Sequence, residues 1–193
     1  MDVAVKTEEK GRNKIHPQKF ALLAALAGIM MMFAAFTSAF VVRRAAGNWL
    51  EFRLPDMFFY NTGVILLSSL TMHSAYYFFK KGNVLLYRSL LVATLILGLT
   101  FVYLQYQGWV AMYDIGLPIS GPVSGSFIYL ISGVHAAHVL GGIAVLVVAL
   151  LHAIVLPFKV TPRRKLRFEM SLIYWHFVDF LWVYLLIFFV LQS

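Results

Sequence analysis

The chain has 193 residues, of which 61% are hydrophobic and only 12% charged, against roughly 25% charged in soluble domains. So few charges cannot cover a soluble globule, which excludes a cytosolic enzyme and a disordered chain alike. The absence of cysteine excludes disulfides, thiolate metal sites, iron–sulfur clusters and covalent haem attachment. The composition predicts an integral membrane protein.

A helix needs about 20 predominantly apolar residues to span the hydrocarbon of a bilayer, and five stretches meet that length. The first, 20–42, carries no charge and stops at Arg43-Arg44. It is longer than a signal-peptide core and reads as an uncleaved span behind a cytoplasmic tail, 1–19. The second, 57–79, stops at Lys80-Lys81. The third, 89–112, fades into an interfacial belt of Tyr103, Tyr106, Trp109 and Tyr113. Residues 116–125 are rich in turn formers and almost uncharged, predicting an ordered hairpin. The fourth span, 126–156, is long enough to tilt, and the last is 170–191. Barrel-type alternation is absent, so helices are the spanning element. The predicted fold is all-α: one five-helix transmembrane domain over 20–193.

Charge sets the orientation. Of the 16 Lys and Arg residues, 13 fall in the tail, the second loop and the fourth loop; the other side has only Arg43, Arg44 and Arg53. The positive-inside rule then places the N-terminus inside and the C-terminus outside. The net charge of +8 is topological, and no nucleic-acid partner is expected.

Titratable groups within spans are costly and need a reason. On the last helix His176 and Asp179 share a face, and Glu169 lies two turns below at the inner mouth. Asp179 sits roughly 14 Å in from Met170 at a rise of about 1.5 Å per residue. His135 and His138, on a helix running the other way, reach similar depth. If these helices touch, the histidines and Asp179 can satisfy one another, and Asp179→Ala should leave a histidine unpaired. Gly133, Ala136, Ala137, Gly141 and Gly142 favour close approach to helix four.

The same residues leave other readings open. They could handle protons. A haem b anchor would need His73 or His176 facing His135 or His138. Zinc or copper on His135 and His138 lacks a third helical ligand, so no metal site is expected. An independent transporter or channel fits less well without inverted repeats or broken helices. Nothing resembles a complete active site, and no catalytic residue is assigned.

Tyr174-Trp-His-Phe-Val-Asp-Phe-Leu-Trp182, with Glu169 five residues before the tyrosine, resembles the closing-helix signature of subunit III of the haem–copper oxidases. Ser132-Gly-Val-His-Ala-Ala-His-Val139, followed by Gly142 and preceded by Ser126, is similar to that family's Thr-Gly-x-His-Gly-x-His-Val segment. Asn61-Thr62, Leu66-Leu-Ser-Ser69 and Phe33-Ala-Ala-Phe-Thr-Ser-Ala-Phe40 resemble its earlier helices. The likeness runs from about Phe20 to Leu191 and fits the short, five-helix bacterial form.

The resemblance implies an accessory core subunit in the bacterial plasma membrane, docked on subunit I beside subunit II. It would carry no cofactor of its own: haem and copper reside in subunit I, and phospholipid lies between helices. The whole complex reduces oxygen to water and moves protons, with a cytochrome c or quinol as donor. A related accessory subunit of nitric oxide reductases shares the form. Glu169, His176, Asp179, His135, His138 and Ser132 become candidates for an interhelical polar or proton-related network. Trp175, Tyr174, Trp182, His73 and Gln105 become candidates for lipid or subunit contact. Two departures favour scaffold and lipid binding over proton conduction. Gly28-Ile29 stands where relatives carry Ser-Glu, and Gln105-Tyr-Gln-Gly-Trp109 where they carry Gln-x-x-Glu-Trp.

Overall fold

The computed structural model describes residues 16–47, 49–50 and 53–192. It is all-helical, with five helices in chain order: α1 (Pro17–Ala45), α2 (Met57–Lys81), α3 (Val84–Asp114), α4 (Val123–Val155) and α5 (Pro162–Gln192). Of the expected 1–19 tail, residues 1–15 lie outside the described residues, while 17–19 form the first turn of α1.

Helices α1, α3 and α5 begin before their apolar stretches, because local capping and not hydropathy sets where they start. Pro17 occupies the first turn of α1, where a missing N–H costs nothing, and His16 Nδ1 accepts from Gln18 N at 3.3 Å. Asn83 caps α3 by accepting from Leu86 N at 3.2 Å, which starts that helix five residues before Ser89. Thr161 Oγ1 accepts from Arg164 N at 3.3 Å and opens α5 before its charged first turns end. The turn-rich segment 116–125 is partly absorbed into α4, which begins at Val123. What precedes is folded back: Leu117 N donates to Met112 O at 3.0 Å and the Leu117 side chain is buried.

Four helices, α1, α3, α4 and α5, are long and apolar enough to cross a membrane. The expectation of five such spans is thus met for four, and α2 falls short in apolarity alone among the described residues. Asn61, Thr62, Ser68, Ser69, Thr71, His73 and Ser74 dilute the hydropathy of α2. Most of this polarity is turned inward: Asn61 and Ser68 are buried, and Thr71 bonds Thr94 of α3 at 2.9 Å.

The packing is a ring with one helix outside it. α2 packs on α3, α3 on α4, α4 on α5, and α5 closes the ring on α2. α1 lies against α4 and α5. The pairs Asn61–Gln105, Thr71–Thr94 and Phe79–Tyr87 show α2 and α3 antiparallel. Lys19–Glu169, Thr37–Tyr184 and Arg44–Gln192 show α1 parallel to α5. Among the described residues α1 and α2 do not pack on each other; they flank α5 as the two sides of a groove.

The core is centred on Trp175. A Cβ added at Gly98 of α3 would lie 2.9 Å from its ring, and one at Gly142 of α4 would lie 3.0 Å away. Both glycines are therefore needed for close approach. In a bilayer, where lipid is as apolar as leucine, such contacts and interhelical hydrogen bonds carry association.

Candidate functional site

The polar side chains converge on α5. Near its N-terminal end Glu169 accepts from Lys19 Nζ of α1 at 2.5 Å and from the Tyr76 hydroxyl of α2 at 2.5 Å. Lys165, one turn back, lies 4.0 Å away. One carboxylate thus joins three helices, and it remains partly exposed.

Two turns deeper, Ser69 of α2 and His176 Nδ1 share a hydrogen bond of 2.5 Å. The His73 and His176 rings lie with centroids 5.8 Å apart. Asp179 is only 3% exposed and lies against the Ser69 hydroxyl, although neither carboxylate oxygen makes a well-aligned hydrogen bond among the described residues.

His135 is fully buried and sits among rings, against Trp182 at 5.1 Å, Phe101 at 5.8 Å and Phe33 at 6.3 Å between centroids. Neither ring nitrogen finds a partner among the described residues. The expectation that His135, His138 and Asp179 satisfy one another therefore fails in this geometry. Aromatic rings from α1, α3 and α5 occupy the space around the imidazole. His138 instead bonds its own helix, from Nδ1 to Val134 O at 2.8 Å, and its carbonyl accepts from Tyr174 at 2.9 Å.

One device recurs three times. An indole N–H donates to a hydroxyl on the neighbouring helix, and that hydroxyl donates to a carbonyl of its own helix. Trp109 does so to Ser132 at 2.9 Å, Trp175 to Ser68 at 3.0 Å and Trp182 to Thr62 at 2.9 Å. The onward bonds go to Ile128 O, Ile65 O and Phe58 O. Every group in the relay is paired, which a buried polar contact in hydrocarbon requires. Gln105 plays a similar part between helices, accepting from Asn61 Nδ2 at 3.0 Å.

The structure thus brings Glu169, Trp175, His176, Trp182 and His73 together along the α2–α5 boundary. Ser132 lies between α3 and α4, and Gln105 between α2 and α3. Sequence reasoning missed Lys19 and Tyr76, both partners of Glu169. The available signal was the lone carboxylate at a helix mouth, which required cations or donors beside it. Among the described residues no group of three or more His, Cys, Asp or Glu is placed to hold a metal ion.

Paired tryptophans, capped hydroxyls and a single three-way carboxylate define a multi-pass membrane protein whose polar groups join helices. A family model described as cytochrome c oxidase subunit III matches residues 19–193. The chain is 32% identical over 168 residues to the probable cytochrome c oxidase subunit 3 of Nocardia farcinica, covering 82% of this chain and 79% of that one. It is 28% identical over 194 residues to cytochrome c oxidase subunit 3 of Corynebacterium diphtheriae, covering 96% and 93%. Against the rat protein of that name identity is 34% over 125 residues, covering 65% of this chain and 46% of that one. The chain thus spans about half the length of the vertebrate relatives it matches. It belongs to the cytochrome c oxidase subunit III family.

Proposed function

We propose that the chain is an accessory, non-redox subunit of a respiratory haem–copper oxidase, holding the catalytic subunit I in place in a bacterial plasma membrane. The observation that carries this reading is the way the polar side chains of α5 are used. Glu169, Trp175 and Trp182 each spend their hydrogen bonds on another helix of the same bundle. Groups engaged in this way serve structure, and a transferable proton or a bound metal would compete with them.

All five helices cross the membrane in this reading, α2 included. Its antiparallel register against both α3 and α5 over its full length supports that. The charge asymmetry supports an inside N-terminus, with Lys19 and Glu169 at the cytoplasmic end.

Bound phospholipid is part of the same proposal. A cavity of about 910 Å³ opens between the cytoplasmic ends of α1, α4 and α5, lined by Ala21, Leu22, Val145 and Tyr174 with Arg164 and Arg167 among its lining residues. An acyl chain suits the apolar lining, and the arginines suit a phosphate.

Purification of the tagged chain from native membranes in mild detergent, followed by mass spectrometry, tests the function. A catalytic subunit should co-purify in near-equal amount, and its identity separates an oxygen reductase from a nitric oxide reductase. Recovery of the chain alone from gently solubilised membranes overturns the reading.

A further inference from the structure

The α2–α5 boundary turns two histidines outward. His73 is exposed and His176 half-buried, although both lie well inside the helices that carry them. At about 1.5 Å per residue, His73 is roughly 12 Å from Lys81 and His176 roughly 9 Å from Met170. Ser69 occupies Nδ1 of His176. No hydrogen bond within the described residues reaches its Nε2 or either nitrogen of His73. Lipid tails offer no hydrogen-bond partner at that depth, so such groups are stable only against protein or a hydrated cavity.

The surroundings favour protein. Both histidines border the groove that α1 and α2 form over α5, and its floor is large and apolar, with Phe180 68% and Ile187 54% exposed. A water-filled cavity would not be floored by such side chains. The groove is bridged at the cytoplasmic end by Lys19, Glu169 and Tyr76.

We propose that the groove between α1 and α2 is the docking surface for a transmembrane helix of a companion subunit, which presents a hydrogen-bonding side chain to His73 and His176. This rests on the accessory-subunit reading and adds to it the face used and the chemistry of the partner. A plain leucine-faced helix would leave the imidazoles unmet. A carboxylate, amide or hydroxyl in its inner half would satisfy them.

The chain has no cysteine, so single cysteines label one place each. His73→Cys and Phe180→Cys mark the groove. Ile96→Cys on α3 and Leu151→Cys on α4 mark other exposed faces, at 57% and 56% exposure. Each is modified with a thiol-reactive benzophenone in native membranes and irradiated. The two groove positions should capture the same membrane polypeptide, and the other two should yield lipid adducts. In parallel, His73→Leu should lower the companion retained in detergent by about three- to tenfold, with His73→Gln restoring most of it.

Capture of that polypeptide from Ile96 or Leu151, with only lipid or a second copy of this chain at the groove, overturns the docking face while the accessory role stands. Equal retention by His73→Leu and wild type overturns the hydrogen-bond chemistry. No capture from any position, together with no companion on purification, overturns both readings.

Discussion

Lys19, in the first turn of α1, donates to Glu169 of α5 across 150 residues of sequence. The same carboxylate accepts from Tyr76 of α2, so a single side chain sets the spacing of three helices at the N-terminal end of α5. Removing it leaves two donors behind. Glu169→Ala should therefore destabilise the detergent-solubilised protein by about 1–3 kcal/mol, the usual cost for a charged hydrogen-bonding group. Lys19→Ala should cost less than about 1 kcal/mol, because that pair is partly exposed to solvent. Thermal unfolding of the two variants and of the Lys19→Ala/Tyr76→Phe double variant checks the order.

Gly98 and Trp175 offer a second, steric test. Gly98→Ala places a methyl group 2.9 Å from a buried indole that cannot swing away, and overpacking of this kind costs about 1–3 kcal/mol. Combining it with Trp175→Phe should recover part of the loss, since the smaller ring vacates the contact. Melting temperatures showing the double variant no better than the sum of the singles would refute the contact.

The indole relays make a third prediction. Trp182→Phe keeps most of the ring packed against Phe101 and His135 but drops the bond to Thr62. The expected loss is about 1 kcal/mol. Trp182→Ala also opens a cavity and should cost about 3–5 kcal/mol. A double-mutant cycle with Thr62→Val isolates the hydrogen bond.

Asp179 behaves differently from its neighbours. Its two oxygens are buried with no well-aligned hydrogen bond among the described residues and only the Ser69 hydroxyl beside them, so Asp179→Leu removes a desolvated acceptor at the cost of one weak contact at most. The purified chain should hold its thermal stability or gain about 1 kcal/mol. A marked loss would show that the contact with Ser69 holds the carboxylate as a full hydrogen bond.

Much of the fold was legible because lipid imposes one rule on every segment, and 20 or so apolar residues between charges can hardly be anything else. Helix α2 was the exception in degree: its polar residues lower its hydropathy because they face α3 and α5. The helix ends were not legible at Asn83 or Pro162, where a cap and not the end of hydrophobicity decides. At the site, spacing placed His176 and Asp179 on one face, but it could not give the rotation of α4 against α5. That rotation puts Trp182, and not Asp179, beside His135. Lys19 was read only as a topogenic charge, because its partner lies 150 residues away and no local pattern joins them.

The central claim is that the intramembrane titratable side chains join helices and subunits without holding a redox centre. The most direct measurement is the visible absorption spectrum of the chain purified alone in strong detergent, recorded beside that of the gently solubilised complex. An accessory role predicts a colourless chain and a haem spectrum confined to the preparation that retains the companion. A Soret band on the isolated polypeptide, or oxygen consumption by it, would contradict the claim.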